Sequence, residues 1–168
     1  GLTFESAYGM LCMKLAFAFQ DYQFLLDDAA ISDDDKGIFK RILGRTASMD
    51  ETKSCFLLLT RMLEIHFKKS AVVILDEYDV PIAKASSNGY YSQMLDVMRA
   101  MMSTTLKDNT SLDFAVITGC LKIAKESIFT GTNNFVSDTI LSPRLSESFG
   151  FTQADVDQML KDADLESQ

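Results

Sequence analysis

The sequence predicts an α/β fold in which short parallel strands are joined by crossover helices. Five apolar residues in succession, Ala71–Leu75, favour a strand buried on both faces, as in a sheet covered by helices. A second short apolar run, Phe114–Ile117, follows a segment with helical periodicity. Helical and strand patterns therefore alternate along the chain, which is the order that a parallel sheet needs.

Helical patterns fill the chain before the first strand. Apolar periodicity and capping-box spacings of Ser with an acid three residues later predict three helices. They are a helix from Thr3 to about Leu26, one that begins after Ser32 with Asp35, and one from Ser48 with Glu51 to Lys69.

Further elements are predicted after the first strand. Pro81 is typical of a turn or a helix start. A Met-rich helix follows from about Tyr90 to Leu106, and its inner side is predicted to carry Met94, Val97, Met98, Met101 and Met102. Thr118 and Gly119 end the second strand, Val136–Leu141 is a candidate third strand, and a last helix is capped by Thr152 with Asp155.

Composition limits the class of protein. The 168 residues suffice for one domain, and a net charge of −8 argues against direct nucleic-acid binding, because phosphate contacts need clustered Lys and Arg. Cys12, Cys55 and Cys120 are predicted to be reduced core thiols of a cytoplasmic protein. No apolar run approaches the roughly 20 residues that span a bilayer, so no membrane association is expected. His66, the single histidine, is predicted to lie on a helix surface or core edge.

Two adjacent carboxylates, Asp76 and Glu77, follow the first strand directly. Parallel strands present such residues at the carboxyl edge of the sheet, where α/β proteins bind ligands. One carboxylate there suits a water-coordinated Mg²⁺ and the other suits polarisation of an attacking water. This is the Walker B pattern of ATP-hydrolysing P-loop proteins. The alternative interpretation is a strand that ends in an acidic, solvated turn.

Five motifs extend the pattern beyond the acidic pair. They are Val73–Ile82, Gly89–Tyr91, Leu106–Asn109, Thr118–Phe135 and Phe149–Thr152. In order and spacing they closely resemble the predicted AAA-ATPase-like family of bacterial proteins, over nearly the whole chain. Members of that family commonly carry a nuclease-like domain of the PD-(D/E)XK type after the ATPase-like region.

The resemblance implies roles for four residues. Asp76 takes the place of the Mg²⁺-associated Walker B aspartate, and Glu77 that of the catalytic base. Thr118 stands where related ATPases place a polar sensor of the γ-phosphate. Lys122 stands where the family usually has Arg, and a lysine keeps the charge but loses the bidentate fork. The alternative for Lys122 is a solvated helix face.

One essential part of a P-loop ATPase is absent from the sequence. None of the eight glycines is followed by Lys, so there is no Gly-Lys-Ser/Thr loop to hold phosphates. The resemblance therefore implies a partial three-layer P-loop (AAA-like) domain over 1–168, without its front strands. It would retain the Walker B and sensor 1 portion and the start of a lid helix at about 152–168.

Two functions remain open at this stage. In the first, a longer parent protein binds ATP and Mg²⁺ and hydrolyses ATP, while this chain alone is inactive and binds neither tightly. In the second, the chain is a non-enzymatic interaction module with a vestigial acidic strand end. An uncovered sheet edge would in either case favour self-association.

Overall fold

The local sequence patterns fold into helices packed on a small parallel sheet. The computed structural model describes residues 2–120, 136–139, 142–145, 147–148 and 150–164. It contains two units, residues 1–132 and 133–168. The elements of the first unit are α1 (Phe4–Gln20), a 3-10 helix (Gln23–Asp27), α2 (Asp33–Leu43), α3 (Met49–Lys53), α4 (Cys55–Phe67), β1 (Ala71–Leu75), α5 (Val80–Ser87), α6 (Tyr91–Leu106) and β2 (Leu112–Ile117).

The two strands are parallel, and α5 and α6 form the crossover between them. The prediction of an α/β fold with parallel strands is therefore confirmed. A bulge between Ala71 and Val72 shifts the register, so that Ala71 pairs with Leu112 and Val72 with Phe114. The bulge absorbs Asp113 and keeps both Leu112 and Ala115 on the less exposed face, because a one-residue slip would otherwise reverse the strand.

Only one face of this sheet is covered by helices in the described part of the chain. Leu75 and Ile117 pack against the helical core. The opposite face carries apolar side chains that are 45 to 72% exposed, namely Val72, Ile74, Phe114 and Val116. The expectation of a strand buried on both faces is therefore wrong for β1, and the described residues form two layers rather than the predicted three.

The helical core lies on the covered side of the sheet. Phe19 of α1 and Phe39 of α2 are fully buried, with ring centroids 4.9 Å apart. Residues of α6 complete this core, and all five that were predicted for its inner side are at most 5% exposed: Met94, Val97, Met98, Met101 and Met102. The flexible thioether side chains fill the irregular space between α4, α5 and the strands.

The predicted helix starts are confirmed, but two of the predicted helices divide. The helix predicted from Thr3 to about Leu26 ends at Gln20, and a separate 3-10 helix follows over Gln23–Asp27. The Ser32 hydroxyl accepts from the Asp35 amide, and Ser48 and Glu51 form a complete capping box. The helix predicted from Ser48 to Lys69 divides at Ser54, whose hydroxyl donates to the Asp50 carbonyl at 3.0 Å. Such side-chain bonding to a carbonyl four residues earlier bends helices.

The second unit contains a 3-10 helix (Pro143–Leu145) and α7 (Gln153–Asp162). Thr152 and Asp155 form the predicted capping box at the start of α7. Residues 136–139 have no strand assignment, and the rest of the predicted strand Val136–Leu141 lies outside the described residues. Among the described helices, none is long and apolar enough to cross a membrane.

The cysteines do not all lie in the core. Cys55 is buried and Cys12 is partly buried, but Cys120 is exposed, so the prediction of a core thiol is wrong at that position. Cys120 lies three residues after the last residue of β2, beyond the end of the sheet.

Candidate functional site

The candidate site lies where β1 and β2 end. The amide of Thr118, the residue after β2, donates to the carbonyl of Leu75, the last residue of β1, at 2.9 Å. The two segments therefore remain hydrogen-bonded where the strands end. Thr118 thereby lies beside Asp76, and its hydroxyl donates to Oδ1 of Asp76. The same oxygen accepts the amide of Glu77 at 2.9 Å. Two donors therefore fix one oxygen of an exposed carboxylate.

Glu77 departs from ordinary backbone geometry. Its φ is 54°, in the left-handed region that non-glycine residues seldom adopt. Strain of this kind persists where the surrounding structure enforces it, and it is concentrated at functional sites. The left-handed turn leaves the Glu77 side chain exposed, and the next amide, that of Tyr78, donates to the Thr118 carbonyl at 3.2 Å.

Asp79 and Gly119 complete the strand ends, and the sequence patterns assigned neither of them a role. Asp79 is 3% exposed and precedes α5. Gly119 approaches the side chains of Tyr78 and Asp79 so closely that no Cβ would fit. Burial raises the pKa of the Tyr78 hydroxyl, and the nearby negative charge of Asp79 raises it further. The sequence signal was present, in a third carboxylate after the strand and a glycine after Thr118, but its meaning depends on proximity in space.

Three of the four predicted site residues meet at this edge. Asp76, Glu77 and Thr118 are brought together, although their catalytic and binding roles remain predictions. Lys122 lies outside the described residues. In the described part of the chain, no cluster of three or more His, Cys, Asp or Glu side chains could hold a metal ion.

The donor set nevertheless fits a magnesium ion that is shared with a nucleotide. Mg²⁺ usually keeps several waters and takes one or two carboxylates plus substrate phosphates, rather than a cage made only of protein groups. Asp76 offers one exposed carboxylate with a fixed orientation, and Glu77 offers a second beside it. The sequence has no glycine-rich loop to hold the phosphates, so the fit extends to the ion and not to the nucleotide.

The single histidine is remote from this edge. His66 lies near the end of α4, on the side where β1 begins, and its Nδ1 is 2.7 Å from Oδ2 of Asp28. Its ring also contacts Phe24 and Phe67, with centroids 5.2 and 4.7 Å away. The prediction of a helix-surface residue is confirmed, and His66 is not a base for the strand-end site.

Fold and site together define an α/β protein with an acidic pair at the carboxyl end of parallel strands. Comparison with known families gives a more specific assignment. The family model described as "Predicted AAA-ATPase" matches residues 14–129. The chain therefore belongs to the predicted AAA-ATPase-like family, as its motifs indicated.

One curated relative extends the comparison. The chain is 30% identical over 121 residues to an uncharacterized protein in the vnfD 5′ region of Azotobacter chroococcum mcd 1. The aligned part comprises 71% of this chain but 23% of the relative, so the chain spans about a quarter of that protein's length. No solved structure matches the chain significantly.

Proposed function

We propose that this chain is the acidic-strand portion of a cytoplasmic ATPase whose full length binds ATP with Mg²⁺ and hydrolyses ATP. The observation that carries the proposal is the hydrogen bond from Thr118 to Asp76 at the ends of two parallel strands, with Glu77 next in the chain. Membership of the family supports it.

Each residue has a role in this proposal. Asp76 ligates the ion, and the Thr118 hydroxyl holds the Asp76 carboxylate in one orientation. Bound Mg²⁺ would neutralise phosphate charge and fix the geometry of the phosphates. Glu77 accepts a proton from the attacking water, because an exposed carboxylate beside the metal ligand is within reach of that water. Lys122 contacts a phosphate through its ammonium group, a role that rests on the resemblance alone.

The proposal assigns the nucleotide cradle to a part of the full-length protein other than residues 1–168. This chain alone is therefore expected not to bind ATP tightly, because it has no Gly-Lys-Ser/Thr loop. Calorimetry with ATP and Mg²⁺ measures this directly, and a micromolar dissociation constant for the isolated chain would contradict the assignment.

Steady-state ATP hydrolysis by the full-length protein tests the catalytic role of Glu77. Glu77→Gln is expected to reduce kcat by about 100-fold or more, because removal of a general base costs roughly that factor. Asp113→Asn is the matched control, since Asp113 is an exposed carboxylate at the opposite end of β2. Equal turnover in wild type and Glu77→Gln would exclude Glu77 from the mechanism.

A second function, association with another copy of the chain, is favoured by the open face of the sheet. Val72, Ile74, Phe114 and Val116 form paired apolar positions on neighbouring strands. A flat apolar face of this kind is best covered by another like it, because two sheets pack through apolar side chains about 10 Å apart. The proposed occupant is the same face of a second copy.

Light scattering over a range of concentrations tests this association. Wild-type chain is expected to show a mass above that of the monomer, and Ile74→Lys is expected to lower it. Phe17→Lys is the matched control, because Phe17 is an exposed apolar residue of α1 and the charge change is the same. A wild-type chain that is monomeric at every concentration would exclude the second function.

A further inference from the structure

Hydrogen bonds to Thr118, the residue after β2, hold the segment after β1 on both sides of the acidic pair. The amide of Thr118 donates to the Leu75 carbonyl at 2.9 Å, and the amide of Tyr78 donates to the Thr118 carbonyl at 3.2 Å. Asp76 and Glu77 lie between these two bonds. A displacement of the end of β2 is therefore transmitted to the segment that carries both carboxylates.

Gly119 lies against this loop at a distance that a side chain would not permit. A Cβ at this position would be 2.6 Å from Oδ1 of Asp79 and 2.7 Å from Cε1 of Tyr78. Both distances are shorter than Cβ atoms adopt in folded proteins. The φ of Gly119 is not in the left-handed region, so glycine is needed here for space and not for backbone freedom.

The two residues that contact Gly119 are both anchored in the fold. The carbonyl of Asp79 accepts the amide of Ile82 at 3.1 Å in the first turn of α5, and the Asp79 residue is 3% exposed. Tyr78 packs against the helical core. Ile82 and Ala85 of α5 are almost completely buried, so α5 is closely packed and resists displacement. A methyl group on Gly119 would therefore displace the end of β2 more easily than it would displace α5.

We infer that Gly119 is a positioning residue for the strand-end site. By allowing the end of β2 to close on Tyr78 and Asp79, it holds the Thr118 hydroxyl within reach of Asp76. The bond is sensitive to such a displacement, because hydrogen bonds weaken steeply beyond about 3.5 Å and the exposed Thr118 hydroxyl has water as an alternative partner. The catalytic consequence rests on the proposed ATPase function, whereas the positioning itself does not.

Amide NMR spectra of this chain test the positioning without any activity. Gly119→Ala is expected to shift the Glu77 resonance, since the Glu77 amide donates to the same Asp76 oxygen, and to shift it in the direction caused by Thr118→Val. Gly9→Ala is the matched control, because a methyl group there meets nothing within 4 Å. A Glu77 resonance that Gly119→Ala leaves unmoved would overturn the inference.

A second variant keeps the test decisive if Gly119→Ala does not fold. The double variant Tyr78→Ala/Gly119→Ala removes two of the three atoms nearest to the new methyl group. Oδ1 of Asp79 stays 2.6 Å from the new methyl group, so only the crowding by the Tyr78 ring is relieved. Circular dichroism is therefore expected to show a smaller loss of folded signal from Gly119→Ala in the Tyr78→Ala background than in the wild type. An equal or larger loss in that background would contradict the assigned contact.

The full-length protein gives the catalytic readout. Gly119→Ala is expected to lower kcat about tenfold or more while KM for ATP stays within about twofold, because misplaced catalytic groups reduce the rate more than they reduce binding. Gly9→Ala should leave both constants unchanged. An inactive wild type would remove the proposed function and leave the NMR result standing, whereas an active wild type with an unchanged Gly119→Ala variant would remove the positioning role.

Discussion

Asp76 connects the hydrogen bonds at the strand ends. Its Oδ1 accepts hydrogen bonds from the Thr118 hydroxyl and the Glu77 amide. One donor lies in the segment after β2 and the other in the segment after β1. Bonds from two donors restrict the carboxylate to one orientation. An oriented, exposed carboxylate is what ion binding at this position requires, so the chemistry of the site depends on Thr118 as much as on Asp76.

Thiol reactivity is predicted to distinguish the cysteines of the chain. Burial raises the pKa of the Cys55 thiol to about 12, so little thiolate is present near neutral pH, and Cys120 is exposed. Iodoacetamide near pH 8 is expected to alkylate Cys120 well before Cys55, as measured by peptide mass spectrometry. Alkylation in concentrated urea is the control, where the difference should disappear. Equal rates in the native chain would contradict the burial of Cys55.

Sequence patterns predicted some of these residues and not others. Asp76, Glu77 and Thr118 follow apolar runs, and position relative to a strand is readable from a single sequence. Gly119, Asp79 and Cys120 were missed or misjudged because their roles depend on which atoms come close in space. Gly119 was taken only as the end of a strand, and the hydrophobic sequence neighbours of Cys120 did not indicate that the chain is exposed after β2 ends.

The helices are set by local chemistry at their ends. Glu51 has two partners, since its carboxylate accepts the Ser48 amide at 2.9 Å and pairs with the Arg41 side chain of α2. It therefore caps α3 and connects it to α2. The Arg41 hydrogen bond, followed by that of the Ser48 amide, lowers the pKa of Glu51 to about 2 from its usual 4.5.

The lowered pKa predicts a pH-dependent contribution of Glu51 to stability. A group whose pKa is depressed in the folded state stabilises it fully above the unfolded pKa and loses that effect as pH falls through the folded value. Urea unfolding should therefore show a wild-type advantage over Glu51→Gln that is constant above about pH 5 and shrinks between pH 4.5 and about 2. The difference is expected to be small, because the pair is exposed to solvent. A gap that widens on acidification would contradict this sign.

The free energy of unfolding is expected to depend strongly on the side-chain volume that α6 contributes to the core. Met101 is 1% exposed, so Met101→Ala is expected to reduce the free energy of unfolding by about 2 to 4 kcal/mol through lost burial and a cavity. Met101→Leu should cost less than about 1.5 kcal/mol, since volume is kept. Met159→Ala is the control, because Met159 is 52% exposed on α7. Chemical denaturation measures all three, and equal losses at both sites would contradict the assigned core.

Periodicity predicted the helices well and the layers less well. The inner face of α6 was readable from its helical periodicity, and the caps at Ser48 and Thr152 were readable because a cap depends on residues within one turn. The sequence did not predict that one face of β1 is exposed. Five successive apolar residues fit a strand buried on both faces, and the pattern does not say whether the covering elements belong to the same chain. The division at Ser54 was also missed, since capping signals mark helix starts rather than bends.

At the largest scale, the described residues of the first unit form a helical core on one side of a sheet and leave an apolar face exposed on the other. A face that exposes Ile74 at 72% beside Val72, Phe114 and Val116 is unusual for a free surface. Such a face suits the proposed association with a second copy of the chain.

The most direct test of the proposed site uses full-length protein with ATP and Mn²⁺ in place of Mg²⁺. Paramagnetic broadening of methyl signals locates the ion, because it decreases with distance from the metal. The two ends of β2 give a distance reference, since Leu112 lies roughly 16 Å from Ile117 at about 3.3 Å per residue. Strong broadening is expected for the Leu75 and Ile117 methyl signals at the site end of the sheet, and weaker broadening for Leu112 at the other end. Equal broadening at both ends, or none at Leu75 and Ile117, would place the ion elsewhere and exclude the strand ends as its binding site.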